Sequence, residues 1–309
     1  MLCAQSEVPE VSLIIPVKNE GSNVTETLES AMRVKTDRSF EMIIVDDGST
    51  DGCCDGLSAL YRQDAVRFFR TEGIGVSMVR NRGADQARGR YLIFCDAHLG
   101  FEDYWMDRML HVIESDAADA VSPGIARYDN PDVVGYGLTL NEKFEARWLG
   151  KPSSVCHTAI LPGGCLAVSK SVFDAVGGFD NGFRVWGYED IELTMKLWLF
   201  GYTCSIEPLS KVRHKFRKKH PYPVTYKHLY YNMLRLAYSH FNEERIEQCK
   251  GLVIHADASQ IESEVLSEGV MEQRKTYLAI RKHSDDWYME KFGIPFGSRG
   301  KSFIRRGSS

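Results

Sequence analysis

Residues 91–100 read YLIFCDAHLG, four apolar residues followed by two ionisable ones, Asp96 and His98, with only Ala97 between them. In an extended chain the period of two aims both side chains to the same side. A carboxylate beside a neutral imidazole suits a borderline divalent ion. Other groups fall where apolar runs end. Pro16, Lys18 and Glu20 close or follow VSLIIPV, and Asp46 and Asp47 follow FEMIIV. Loop positions at strand ends are where binding groups concentrate, and an acid there can accept from a base N–H or a ribose hydroxyl. The run VRHKFRKKHPY (212–222) holds His214, Lys215, Arg217, Lys218, Lys219 and His220 in a chain whose formal net charge is −4. A solvated face is the commonplace reading of such a run. Phe216, Pro221, Tyr222 and Pro223 instead interleave aromatic and stiff residues, as a structured loop would. Over a diphosphate, that loop would supply charge-assisted donors and exclude water. In WGYEDIEL, Glu189 and Asp190 open a helix after Gly187. First-turn acids stabilise a helix N-terminus, and two of them in a glycine-rich turn also suit a substrate hydroxyl.

These groups need elements to position them. VSLIIPV (11–17), FEMIIVD (40–46) and YLIFC (91–95) are β-branched or apolar runs of buried-strand length, and VRFFR (66–70) reads as extended. VTETLESAM, LSALYRQ (57–63) and IGVSMVRNRGADQA carry helical spacing between them. This alternation predicts an α/β fold with a mostly parallel sheet flanked by helices, its strand-end loops on one edge. Arg80 lies at the helix end nearest that edge, where Asn81 and Gly83 permit close approach; Arg82 reads as solvated. After about residue 120 come a strand, a short helix and a double-glycine turn in GGCLAVSKSVFDAVGGFD, and a strand ending at His214. From about residue 225 the pattern is helical. No G-x-G-x-x-G follows VSLIIPV and no Walker loop is present, which argues against dinucleotide and P-loop sites.

The chain has 309 residues, 43% hydrophobic and 26% charged, the composition of a globular protein, and nothing in its mild acidity suggests a general nucleic-acid or membrane-surface binder. Eight cysteines occur without a CxxC pair, reading as reduced thiols. The start MLCAQSEVPE has no leader pattern, and no apolar run is long enough to span a bilayer. A soluble cytoplasmic protein is expected.

Taken in order, VSLIIPVKNE, IIVDDGSTDG, RNRGADQARGRYLIFCDAH, PGGCLAVSKSVFDAVGGFD, WGYEDIEL and HKFRKKHPY resemble the GT-A glycosyltransferases over about residues 10–223. They are most similar to the polypeptide N-acetylgalactosaminyltransferases, whose metal motif is Asp-x-His. The resemblance implies a GT-A nucleotide-diphospho-sugar transferase fold and a Mn2+ (or Mg2+) ion held by Asp96, His98 and, from HKFRKKHPY, His214. It also implies a UDP-sugar donor contacted by Arg217, His220 and Tyr222 on a mobile loop, with Gly163 and Gly164 at the sugar and Glu189 at its hydroxyls. Pro16, Lys18, Glu20, Asp46, Asp47, Arg80, Asp96 and Trp186 complete the expected donor-binding set. The acceptor implied is a peptide Ser, Thr or Cys; polysaccharide, lipid or small-metabolite acceptors, or a sugar-nucleotide-binding pseudoenzyme, are the alternatives.

Two departures stand out. The retaining enzymes read Glu-Asn where this chain has Glu189-Asp190, and an Asp there is typical of the large inverting glycosyltransferase family, where it deprotonates the acceptor. Asp190 is therefore the expected base, and inversion is favoured over retention. The chain is also expected to stand without the membrane anchor and lectin domain of the animal enzymes. The domains read as a GT-A domain over 8–224, a helical C-terminal extension over 225–295 packed on it, and a flexible basic tail over 296–309.

Overall fold

The computed structural model describes residues 8–61 and 65–297. The first half alternates strand and helix: β1 (Val11–Val17), α1 (Asn23–Arg33), β2 (Phe40–Asp46), α2 (Leu57–Leu60), β3 (Val66–Arg70), α3 (Val76–Gln86) and β4 (Tyr91–Cys95). Then follow β5 (Leu99–Phe101), α4 (Trp105–Glu114), β6 (Ala120–Arg127), β7 (Val134–Gly135), β8 (Leu138–Leu140), β9 (Ala146–Trp148) and β10 (Cys156–His157). The remainder is β11 (Cys165–Ser169), α5 (Lys170–Ala175), α6 (Glu189–Phe200) and β12 (Cys204–His214). Five helices end the described residues: α7 (Tyr226–His240), α8 (Glu243–Gly251), α9 (Ala258–Ser267), α10 (Val270–Ile280) and α11 (Asp285–Phe292).

The sheet runs β10-β12-β6-β11-β4-β1-β2-β3. From β4 to β3 it is parallel, as the strand–helix rhythm requires. Beyond β4 it is mixed: β11 lies antiparallel to both β4 and β6, and β12 runs parallel to β6. The sheet is thus parallel in its first half, as read from the sequence, and mixed in its second. No helix lies between β6 and its sheet neighbour β11, so no helical crossover forces that pair to be parallel.

Alternation along the strands sorts the core onto two faces. Leu13 and Ile15 pack with α1 and α4 through Leu28, Trp105 and Met109, whereas Ile14, Leu92 and Phe94 pack with Phe173, Phe179 and α6. Every residue of α6 except Asp190 is buried, so that helix has no solvent face. Its polar side chains pair internally. Lys196 and Glu192, both fully buried, lie 3.2 Å apart, and Glu192 Oε1 is 2.8 Å from His240 Nε2 on α7. Removing one member of such a buried pair costs about 3–5 kcal/mol, because the other is left uncompensated. The C-terminal helices share this core; Phe296, beyond the boundary expected at 295, is buried against Phe144 and Phe241. From 298 on, the expected basic tail lies outside the described residues, as do residues 62 and 63 of the expected helix 57–63.

Candidate active site

The carboxyl ends of β1, β2, β4 and β12, the start of β11 and the N-termini of α3 and α6 meet at one sheet edge, around a cavity of about 660 Å³. Asp96 and His98 follow β4, and His214 ends β12. These strands are not neighbours; β5 joins them. It pairs antiparallel with β12, setting Leu99 opposite His214, and the Lys215 N–H donates to the His98 carbonyl at 3.2 Å. The two imidazoles consequently meet edge to face, 4.6 Å between centroids. Nε2 of His214 is 3.2 Å from Asp96 Oδ2, and Nε2 of His98 is 3.8 Å from the same oxygen.

One ligand atom from each of the three residues lies within 4.8 Å of the others. Glu20 Oε2 sits 3.2 Å from His98 Nδ1. In the tautomer that lets Glu20 accept this proton, Nε2 keeps its lone pair on the Asp96 side, as a carboxylate–histidine–metal arrangement needs. Two imidazoles and a carboxylate also leave coordination positions for ligand oxygens. The donor set fits a divalent ion. Burial opposes ionisation of Asp96, but the hydrogen bond from His214, with His98 and Arg80 nearby, holds its carboxyl well below the usual range.

Arg80 lines the cavity but is 2% exposed and turned inward. Its guanidinium donates to Glu189 Oε1 at 3.2 Å, Asp96 Oδ1 at 3.2 Å and the Gly163 carbonyl at 2.9 Å. A buried guanidinium needs such partners, and Arg80 thereby braces the metal-side acid against the helix-side acid. Asp190 accepts from the Gly163 N–H at 2.9 Å and from its neighbour Ile191 N–H at 2.9 Å. Glu189 accepts from the Gly187 N–H at 2.8 Å.

Burial pushes the Glu189 carboxyl up to about 7, against Arg80 and with help from Asp190. Burial likewise raises Asp190, opposed by the Gly163 N–H and Arg80. Once chelated free of metal, folded Glu189 should hold a proton between about pH 4.5, its ordinary value, and about 7, while the unfolded chain has released it. The folded state then binds more protons, so this group's stabilisation is full below 4.5 and lost as pH rises through 7. Glu189→Gln cannot titrate and should gain stability relative to wild type across that window, read by urea unfolding at each pH. A flat difference would mean an ionised carboxylate throughout.

At the β1–β2 end, Asp47 accepts from Thr71 Oγ1 at 2.7 Å, the Ile74 N–H at 2.7 Å and the Gly75 N–H at 3.1 Å. Lys18 Nζ donates to the Asp47 carbonyl at 2.7 Å. Asp46 is the one expected site residue that does not line the cavity. Successive strand residues face opposite ways, and Asp46 instead accepts from the Ser49 N–H at 2.8 Å and pairs with Arg70 at 2.9 Å. Pro16, Gly163, Gly164, Trp186, Arg217, His220 and Tyr222 all line the cavity. Arg217 reaches Glu20 from the cationic loop, His220 packs on Trp186 at 4.4 Å between centroids, and Asn19 Nδ2 donates to the Pro221 carbonyl at 3.2 Å.

Sequence reasoning passed over Gly73 and Gly75 after β3, Trp148 on the β8–β9 hairpin, and Phe144 and Tyr188, all of which line the cavity. The glycine-flanked TEGIG was the available signal for the first pair. The turn carrying the acids is strained: Val185 has φ 48°, Gly187 103° and Tyr188 69°. Left-handed backbone at non-glycine residues costs on the order of 1–3 kcal/mol each and gathers at functional sites.

The strand order and site edge define a class. The structure superposes on GalNAc-T7 crystallised with UDP, GalNAc and Mn2+ with a TM-score of 0.74 and 20% identity, covering 93% of this chain and 57% of that one. A mannosyltransferase from Pyrobaculum calidifontis, in complex with GDP-Man and Mn2+, gives 0.54 at 17% identity, covering 89% and 75%. The fold is the nucleotide-sugar transferase fold, GT-A.

The chain belongs to glycosyl transferase family 2, whose pattern matches residues 12–177, more than half of its length. Residues 153–222 also match the N-terminal domain of galactosyltransferase. Human polypeptide N-acetylgalactosaminyltransferase 14 is 32% identical over 237 residues, 70% of this chain and 42% of that protein. A Caenorhabditis elegans relative, polypeptide N-acetylgalactosaminyltransferase 4, is 29% identical over 231 residues, 68% and 39% respectively. The chain spans about two fifths of the length of these curated relatives.

Proposed function

We propose that the chain is a metal-dependent glycosyltransferase that moves a sugar from a UDP-sugar to a peptide Ser, Thr or Cys side chain. What carries the proposal is the placement of Asp96, His98 and His214 across one cavity from Glu189 and Asp190. In support, relatives matching over 70% of the chain are polypeptide N-acetylgalactosaminyltransferases.

Asp96, His98 and His214 would hold Mn2+, which when bound supplies positive charge against the diphosphate leaving group. Lys18 and Asp47 would meet the nucleoside at the sheet edge, with Asp47 already fixed by the Ile74 and Gly75 amides. Arg217, His220 and Tyr222 would close over the diphosphate, their donors replacing its water. Gly163 and Gly164 would lie beside the sugar, and their lack of a side chain lets Asp190 and His214 approach closely: a Cβ on Gly163 would fall 2.9 Å from Asp190 Cβ, and one on Gly164 3.2 Å from His214 Cδ2. Glu189, braced by Arg80, would face the sugar hydroxyls.

In the inverting course, Asp190 takes the acceptor proton as the acceptor oxygen (or sulfur) bonds to the anomeric carbon. The carbon–oxygen bond to phosphate breaks, and its electron pair leaves with the nucleoside diphosphate. A raised carboxyl suits this role, since a base works best near the working pH. Among the described residues no helix is long and apolar enough to cross a membrane. A cytoplasmic setting is part of the proposal.

The test is a panel of UDP- and other nucleotide-sugars with Mn2+ and Ser-, Thr- or Cys-containing peptides, followed by nucleotide release and peptide mass. A UDP-sugar should give release that rises with peptide, and a peptide heavier by one sugar. Absence of transfer from every donor would overturn the proposal.

A further inference from the structure

Helix α7 lies outside the region that carries the sequence motifs, yet it grips the turn before the acids. Asn232 sits in the middle of α7, fully buried. Asparagine is a poor helix former, and a buried amide is costly unless paired. Its partners are not in its own helix. The Arg184 N–H donates to Asn232 Oδ1 at 2.7 Å, while Asn232 Nδ2 donates to the carbonyls of Arg184 at 2.8 Å, Gly187 at 2.9 Å and Trp186 at 3.3 Å. One side-chain amide thus meets three residues of the left-handed turn.

The grip extends along α7. One helical turn on, Arg235 Nε donates to both oxygens of Asp180 at 2.9 and 3.0 Å, and Leu229 packs on Gly187. The side chain of Arg184 is held by Glu264 at 2.7 Å and Glu268 at 2.6 Å, over the Tyr231 ring. From the opposite side, the Val76 N–H at the start of α3 donates to the Val185 carbonyl at 3.0 Å. The turn is wedged between α3, which bears Arg80, and α7.

We propose that Asn232 is a positioning residue: it holds the Arg184–Gly187 turn, and through it the carboxylates of Glu189 and Asp190, in place for transfer. The C-terminal helices are then part of the active-site frame. This inference rests on the roles proposed above for Glu189 at the sugar and Asp190 at the acceptor.

Three readouts test it on the full chain: amide exchange over residues 184–189, Mn2+-dependent UDP binding, and the transfer rate per folded molecule at saturating substrates. In Asn232→Ala, exchange should rise within 184–189, UDP binding should persist, and the rate should fall by up to about 10²-fold, the scale of a 1 Å misplacement. Val265→Ala, buried in α9, serves as a stability control and should keep the wild-type rate per folded molecule. If Asn232→Ala does not fold, Gly187→Ala perturbs the same turn with α7 intact, since its Cβ would fall 2.5 Å from Leu229 Cδ2 at a φ of 103°, and the same result is expected. Unchanged exchange over 184–189 would overturn the clamp whatever Asp190 does. Raised exchange with an unaltered rate would overturn the positioning role and leave only a structural one. Failure of the Asp190 assignment would appear in Asp190 variants without altering the exchange result.

Discussion

Asp190→Asn should lower sugar transfer by about 10²–10⁴-fold, the usual contribution of a positioned general base. The substitution keeps shape and one carbonyl acceptor, so the hydrogen bond from the Gly163 N–H at 2.9 Å can persist. Mn2+-dependent UDP binding should therefore survive, because the groups assigned to the diphosphate lie on β4, β12 and the cationic loop. The anomeric configuration of the product, read by NMR, should be inverted relative to the donor. Near-normal transfer by the Asn variant with a retained anomer would remove Asp190 from proton transfer. Its contact with Gly163 would then be its role, setting the glycine pair beside the sugar.

Loss of either imidazole should be as severe. His98→Ala or His214→Ala leaves two of the three groups around the site, and transfer should fall by more than the ~10–100-fold that follows loss of an outer-shell metal partner. Glu20→Gln gives that smaller effect for comparison, since Glu20 meets His98 only through Nδ1. The ordering of effects, read as Mn2+ affinity as well as rate, separates ligand from support. A His214→Ala protein with wild-type Mn2+ affinity would remove β12 from the metal site.

The part of this site legible in the sequence is the part built from local rules. Strands of four to seven apolar residues announced their own ends, and the Asp96–His98 spacing followed from strand alternation. The place of His214 was not a local property. It depends on β5, three residues long, pairing antiparallel with β12, and only the likeness of HKFRKKHPY to a family motif pointed to it. The antiparallel return of β11 was equally hidden, because nothing in CLAVS encodes its direction. Two adjacent acids could not both face the cavity from one strand end: Asp47 does and Asp46 does not, although their types are identical. Arg80 lines the cavity as its helix-end position suggests, but a basic helix end does not reveal that its guanidinium is 2% exposed and already bonded to two acids and a carbonyl. Asn232 gave the faintest signal, an unfavourable residue inside a helix, whose reason is visible only once α7 is laid against the turn.

Binding of UDP to the full chain, titrated by calorimetry with Mn2+ and again with excess chelator, tests the central claim most directly. It asks whether the Asp96–His98–His214 edge is a metal-dependent nucleotide site before any acceptor or sugar is known. The account predicts saturable UDP binding with Mn2+ that is lost on chelation and lost with Mn2+ in His98→Ala. UDP binding of equal strength in chelator, or no UDP binding in either condition, would contradict it.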